Sequence, residues 1–92
     1  MAEGSIRLDL FLWFARFAKT RDRARQIACE GHVRIDGRPV SKPSAAVRVG
    51  QVLGLPIGNA VRIVRVEALP ARRGPAPEAS ACYTELGGAP PG

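Results

Sequence analysis

The sequence predicts an α+β fold, with a two-helix hairpin packed on a small antiparallel-rich sheet and a short C-terminal helix. Three observations carry this. Apolar residues recur at helical spacing in the first third of the chain, the period changes to two after Gly31, and five of the eight prolines fall at or beyond Pro70. Ninety-two residues allow one small domain with a modest core. A hydrophobic fraction of 46% beside 24% charged residues is that of a globular chain, not of a disordered basic tail.

The first helix is expected over residues 7–18. Leu8, Phe11, Leu12 and Ala15 fall at i, i+3, i+4 and i+7 and form a core stripe. Leu10, Trp13, Phe14 and Phe17 form a second stripe, which is either buried or left as an aromatic edge for a ligand; burial is the simpler reading. The second helix is punctuated at both ends. Thr20 suits the N-cap, Asp22 lies in the first turn where the helix dipole favours an anion, and Gly31 suits the residue past the C-cap. Ala24, Ile27 and Ala28 give its buried stripe, and Ala18-Lys19 closes a tight αα-hairpin.

Val33 and Ile35 then alternate with Arg34. Asp36-Gly37 is a strong hairpin signal, because both central positions of the turn need positive φ. Arg38-Pro39-Val40 returns as an edge strand, since proline cannot donate to a ladder. Short strands follow at Val47–Val49 and Val52–Leu55, and the β-branched run Val61–Ala68 is the longest, with a bulge expected between Ile63 and Val64. Past Pro70, Arg72-Arg73-Gly74-Pro75 is expected to be extended. A short helix opens at Pro77-Glu78, with Ala79, Cys82, Tyr83 and Leu86 on one face, and Gly87–Gly92 is expected to fray. The divisions are therefore 6–68 for the domain, 69–86 for a Pro-rich extension with a short helix, and 87–92 for a flexible tail.

Charge narrows the function. Lys and Arg number 14 against 8 Asp and Glu, and residues 7–48 carry the whole +6 excess. Such a balance suits a polyanionic partner. Lys19 and Arg21 flank the Thr20 cap, Arg25 shares a helix face with Arg21 at i+4, and the N-terminal end of that helix adds its own positive field. Arg34 and Arg38 belong to different cross-strand pairs of the hairpin, and twist is expected to bring both near the helical cluster.

The sequence holds no Gly-rich phosphate loop, no recognisable Cys/His motif and no acidic cluster for magnesium, so no enzyme, metal, cofactor or small-molecule substrate is expected. With His32 the only histidine, Cys29 and Cys82 read as buried free thiols. The apolar run Leu10–Ala18 is too short to span a bilayer and is interrupted by Arg16. A cytoplasmic monomer is the expectation.

The spacing Arg7-Leu8-Asp9, Lys19-Thr20-Arg21, Ala24 to Gly31, Val33-Arg34-Ile35-Asp36-Gly37, and Val47 with Gly50 resembles the S-four RNA-binding domain, or αL motif. Leu12–Phe17 and Arg72–Ala79 are similar to a family of small ribosome-associated bacterial heat-shock proteins that carry this domain. The resemblance implies an α-α-β-β-β fold that binds structured RNA, chiefly ribosomal, through its two helices and the start of the hairpin. It assigns RNA contacts to Arg7, Thr20, Arg21, Arg25 and Arg34, adds Arg16 and Lys19 from the heat-shock members, and extends to Arg38 and Lys42. It also implies a stress-related role on stalled large ribosomal subunits. Asp36 stands where the domain usually has Asn, and Gln51 where Asp is common. Two rival readings are a protein-interaction adaptor, using the Trp13/Phe14/Phe17 edge or the segment near Tyr83, and an accessory to an RNA-modifying enzyme.

Overall fold

The computed structural model describes residues 4–89. Helices α1 (Leu8–Phe14) and α2 (Arg21–Cys29) form the antiparallel pair, and Leu8, Phe11, Leu12, Ala24 and Ala28 are fully buried between them and the sheet. Alanines on α2 let the two backbones approach closely. The Thr20 hydroxyl accepts from Arg23 N–H at 3.0 Å, so the expected cap is present.

α1 stops earlier than its periodicity suggests. Arg16 adopts φ 67°, and the chain closes a Schellman turn in which Phe17 N–H donates to Leu12 O at 2.9 Å and Arg16 N–H to Trp13 O at 3.1 Å. Phe17 and Ala18 are buried as part of this turn, not as a further helical stripe. An arginine occupies a position where glycine is usual, so the sequence carries no local stop signal.

The main sheet comprises β2 (Val33–Ile35), β3 (Arg38–Val40), β5 (Val52–Ile57), β6 (Ala60–Val66) and β7 (Tyr83–Ala89), in the antiparallel order β3-β2-β5-β6-β7. Val33, Ile35, Leu53, Leu55, Val64 and Val66 point inward to the helices. The Asp36-Gly37 turn has φ 52° and 84°, and Ile35 pairs with Arg38 and Arg34 with Pro39, as the two-residue hairpin requires. A separate two-stranded ladder pairs β1 (Ile6–Arg7) with β4 (Ala46–Val47), and Leu8 N–H and Asp9 N–H donate to Ala45 O and Pro43 O. Two-residue strands have no period to read, which is why the first of them goes unseen in sequence.

The tail departs most from expectation. Helix α3 covers only Ala76–Ser80, and Tyr83, Glu85 and Leu86 lie in β7. That strand continues through Gly87, expected to fray, as far as Ala89, pairing along β6; the expectation for Pro90–Gly92 lies outside the described residues. The register shift does fall at Ile63/Val64, but β6 keeps strict pairing with β5, so the extra residue is Leu86 on β7. The Tyr83 ring lies 4.6 Å from that of Phe17, tilted by 44°, and the Phe17 ring also lies 5.0 Å from the Arg62 guanidinium. Cys82 is buried, whereas Cys29 is exposed at the end of α2, against the expectation that both are core residues.

Candidate nucleic-acid interface

Each predicted basic residue meets one of three fates. Arg7 is held by a carboxylate: its guanidinium donates twice to Asp9, both at 3.0 Å, and Asp9 is fully buried while also accepting from Leu10 N–H at 2.8 Å. The hydrogen bonds to Asp9 raise the Arg7 pKa further and leave about half its side chain exposed, so one face of a fixed, fully charged group remains presented. Arg16 is held by a carbonyl, donating from Nε to Gly74 O at 2.7 Å. Lys19, Arg21, Arg25, Arg38 and Lys42 are exposed and have no side-chain partner among the described residues, and Arg34 reaches only Gly37 O at 3.4 Å.

The ion pairs explain the asymmetry of charge. Arg62 pairs with Glu85, Arg65 with Glu67, and Arg72 with Glu78, so carboxylates neutralise three of the four arginines beyond Gly50. The Arg62 guanidinium holds the Glu85 carboxyl below its ordinary value, and Glu67 is lowered first by the Thr84 hydroxyl and then by Arg65. The fourth, Arg73, donates to Trp13 O at 3.2 Å and Ala18 O at 3.4 Å. Cations between Lys19 and Arg48 have no carboxylate partner among the described residues, although Asp22, Glu30 and Asp36 lie in the same stretch.

These cations do not form one point cluster. Lys19 borders a groove with Arg23, Ile27 and the β5–β6 turn at Pro56–Gly58. The Asp36-Gly37 turn lies at the other end of β5, where Asp36 N–H donates to Val52 O at 2.8 Å. The two ends are separated by about 20 Å of strand. Arg25 lies one turn along α2 from Arg21, about 40° around the axis, while Arg23 is about 200° from Arg21 and bonds Gln26 instead. Arg34 stands on the sheet face away from the helices, against Gly54, and Arg38 on the inner face with Ile35. The expectation that twist unites both with the helical cluster is therefore corrected. A hairpin places adjacent cross-strand pairs on opposite faces, so one cluster on the helical side does not take both.

Sequence reasoning missed Asp9 and Arg73, which orient other groups. The signal for Asp9 was its place two residues from Arg7; for Arg73 nothing local distinguishes it from Arg72. Among the described residues no group of three His, Cys, Asp or Glu side chains stands close enough to hold a metal, and no helix is long and apolar enough to cross a membrane.

Comparison with known proteins fits this geometry. The family profile for the S4 domain matches residues 6–53. Heat shock protein 15 of Escherichia coli K12 is 45% identical over 80 residues, which is 87% of this chain and 59% of that protein. Small ribosomal subunit protein uS4 of Phytoplasma mali is 43% identical over 63 residues, or 68% of this chain and 32% of that protein. A structure described as trimeric heat shock protein 15 of Vibrio cholerae superposes with a TM-score of 0.83 at 37% identity, covering 90% of this chain and 83% of that one. The chain thus spans about three-fifths of the length of the curated heat shock relatives it matches. The matched stretch contains both helices, the capped α2 entry and the Asp36-Gly37 hairpin, and on that footing the chain belongs to the S4 domain family.

Proposed function

We propose that this chain is a non-catalytic module that binds structured, ribosomal RNA by neutralising phosphates along its helical side. The observation that carries the reading is the division of charge. The carboxylates beyond Gly50 are engaged by arginines of their own half, whereas Lys19, Arg21, Arg25, Arg38 and Lys42 stand exposed without a carboxylate partner among the described residues. Arg7, oriented by Asp9, offers its exposed face, and Thr20 contributes by fixing the α2 entry beside Lys19 and Arg21. Arg16 acts through the turn it holds, and Arg34, on the outer sheet face, is an RNA contact separate from the helical side. Cations spread over about 20 Å match the backbone of a folded RNA better than a single phosphate. Recognition is by shape, because an A-form duplex hides its base edges in a deep, narrow groove.

The finer reading, which rests on the resemblance to the ribosome-associated heat-shock family alone, places the RNA on the large ribosomal subunit, in the cytoplasm. The binding unit in this reading is one chain. Analytical ultracentrifugation tests that against the trimer of the Vibrio structure. The direct test is titration of purified ribosomal RNA at 50 and 200 mM salt. Neutralising roughly six phosphates predicts a loss of affinity on the order of a thousandfold. A flat salt response overturns the mechanism. Crosslinking in cells that returns small-subunit RNA or tRNA alone overturns the large-subunit assignment.

A further inference from the structure

Beside the β2–β3 hairpin lies an open cleft of about 560 Å³, lined by Ile35, Asp36, Arg38 and Val40 on one side and by Ala45, Ala46 and Gln51 on the other. Its size falls in the range of small-ligand sites, roughly 300–1,000 Å³. A smaller groove of about 270 Å³ shares Val40 and Ala45 with it and adds Lys42. The cleft's lining is thus part apolar and part polar, with Arg38 on it and Lys42 on the adjoining groove.

Its polar groups have unfilled capacity. Gln51 accepts from Arg48 N–H at 2.8 Å through Oε1, which leaves its amide N–H groups without a partner among the described residues. Asp36 accepts from Val52 N–H at 3.0 Å through Oδ1, which leaves Oδ2 without one. A donor and an acceptor thus border one partly apolar slot, with the Arg38 guanidinium on the same lining and, among the described residues, no ion pair to it. That combination matches a nucleotide: an edge with donors and acceptors, a flat apolar face and a phosphate. A paired base cannot reach it, since its edge is buried in the duplex; an unpaired base can be splayed out.

We propose that this cleft takes the base of one unpaired nucleotide in the bound RNA, with Asp36 and Gln51 at the base edge and Arg38 on its phosphate. The proposal rests on the RNA-binding reading and adds a structural preference to it. Bulged or looped RNA binds better than continuous duplex, and the preference resides at the hairpin, not at the helices. Position 36 matters chemically, because a carboxylate there offers only acceptors where an asparagine offers donors as well.

The test compares the full chain on two blunt RNA duplexes, identical except for a single-nucleotide bulge, by fluorescence anisotropy. The bulged duplex is expected to bind about tenfold tighter. Ala46→Tyr, which fills the cleft from an exposed position, and Gln51→Leu, which removes the donors, should each erase that preference while leaving affinity for the continuous duplex unchanged. A 4-thiouridine in the bulge should crosslink between residues 35 and 51. Equal affinity for the two duplexes, a preference that survives both variants, or crosslinks confined to α2 overturns the cleft assignment. Thermal melting reports whether Ala46→Tyr folds, and Gln51→Leu decides alone if it does not. Wild-type chain that binds neither duplex overturns the RNA-binding reading with it.

Discussion

At position 9 a carboxylate with no solvent exposure receives two bonds from Arg7 and one from the backbone of Leu10. A buried anion is tolerated because all of its charge is met by donors, and the same contacts aim Arg7. Asp9→Ala is expected to lower stability by about 2 kcal/mol, measured by urea denaturation, because Leu10 N–H loses its acceptor and a small cavity opens. Thr20→Ala removes the α2 cap and should cost about 1 kcal/mol in the same assay. The two thiols separate by environment. Burial, with the Glu78 charge adding to it, pushes the Cys82 thiol above its ordinary value, and only thiolate reacts, so iodoacetamide should label exposed Cys29 well before Cys82. At this scale the sequence was readable where backbone chemistry is local. Asp36-Gly37 and Thr20 announce a turn and a cap by residue type alone. Cys29 was misjudged because cysteine type favours burial, while helical phase puts it beyond the Ala24/Ile27/Ala28 stripe.

Between elements, two arginines lock the extension to the helical hairpin. Arg16 reaches out to Gly74 O, and Arg73 reaches back to Trp13 O and Ala18 O, so the end of α1 is satisfied from outside the S4 match. Arg73→Ala should destabilise the chain by about 1–3 kcal/mol in thermal melts and loosen the 15–20 turn that carries Lys19 and Thr20. β7 adds a second tie through Arg62–Glu85 and the Glu67–Thr84 bond at 2.7 Å. Both glutamates titrate below their ordinary value near 4.5 when folded. Their contribution is therefore present above that value and is lost as pH falls through the lower folded values. Melting temperature should decline as pH is lowered from about 5 to 3, and Glu85→Gln should flatten part of that decline. α2 and the β2–β3 hairpin could be read because caps, turn residues and period agreed. The end of α1 and the whole of β7 could not. An arginine at φ 67° bears no mark in the sequence, and a strand with Gly87 and Gly88 owes its existence to the open edge of β6.

Over the whole molecule, the distribution of ion pairs separates cations engaged within the fold from cations that stand exposed without a carboxylate among the described residues. Charge reversal should expose the difference. Arg21→Glu or Arg25→Glu is expected to weaken ribosomal RNA binding tenfold or more with little change in melting temperature. Arg65→Glu, whose partner is Glu67, should leave binding within about threefold and lower stability modestly. Equal effects from both kinds of reversal in an anisotropy titration would mean that net charge, not the placement of cations, drives association. The amino-acid order was enough to set the α+β class, the inward stripes of both helices, the hairpin register and the half of the chain that carries the excess charge. Each of those depends on spacing within a dozen residues or on simple counting. Folding in three dimensions settled which cations are engaged and by what, and that Arg34 and Arg38 face opposite ways. It also settled that the proline-rich segment closes over α1 and lends a fifth strand to the sheet. The closure over α1 depends on groups more than fifty residues apart, Arg16 with Gly74 and Trp13 with Arg73, meeting at distances that no local pattern encodes.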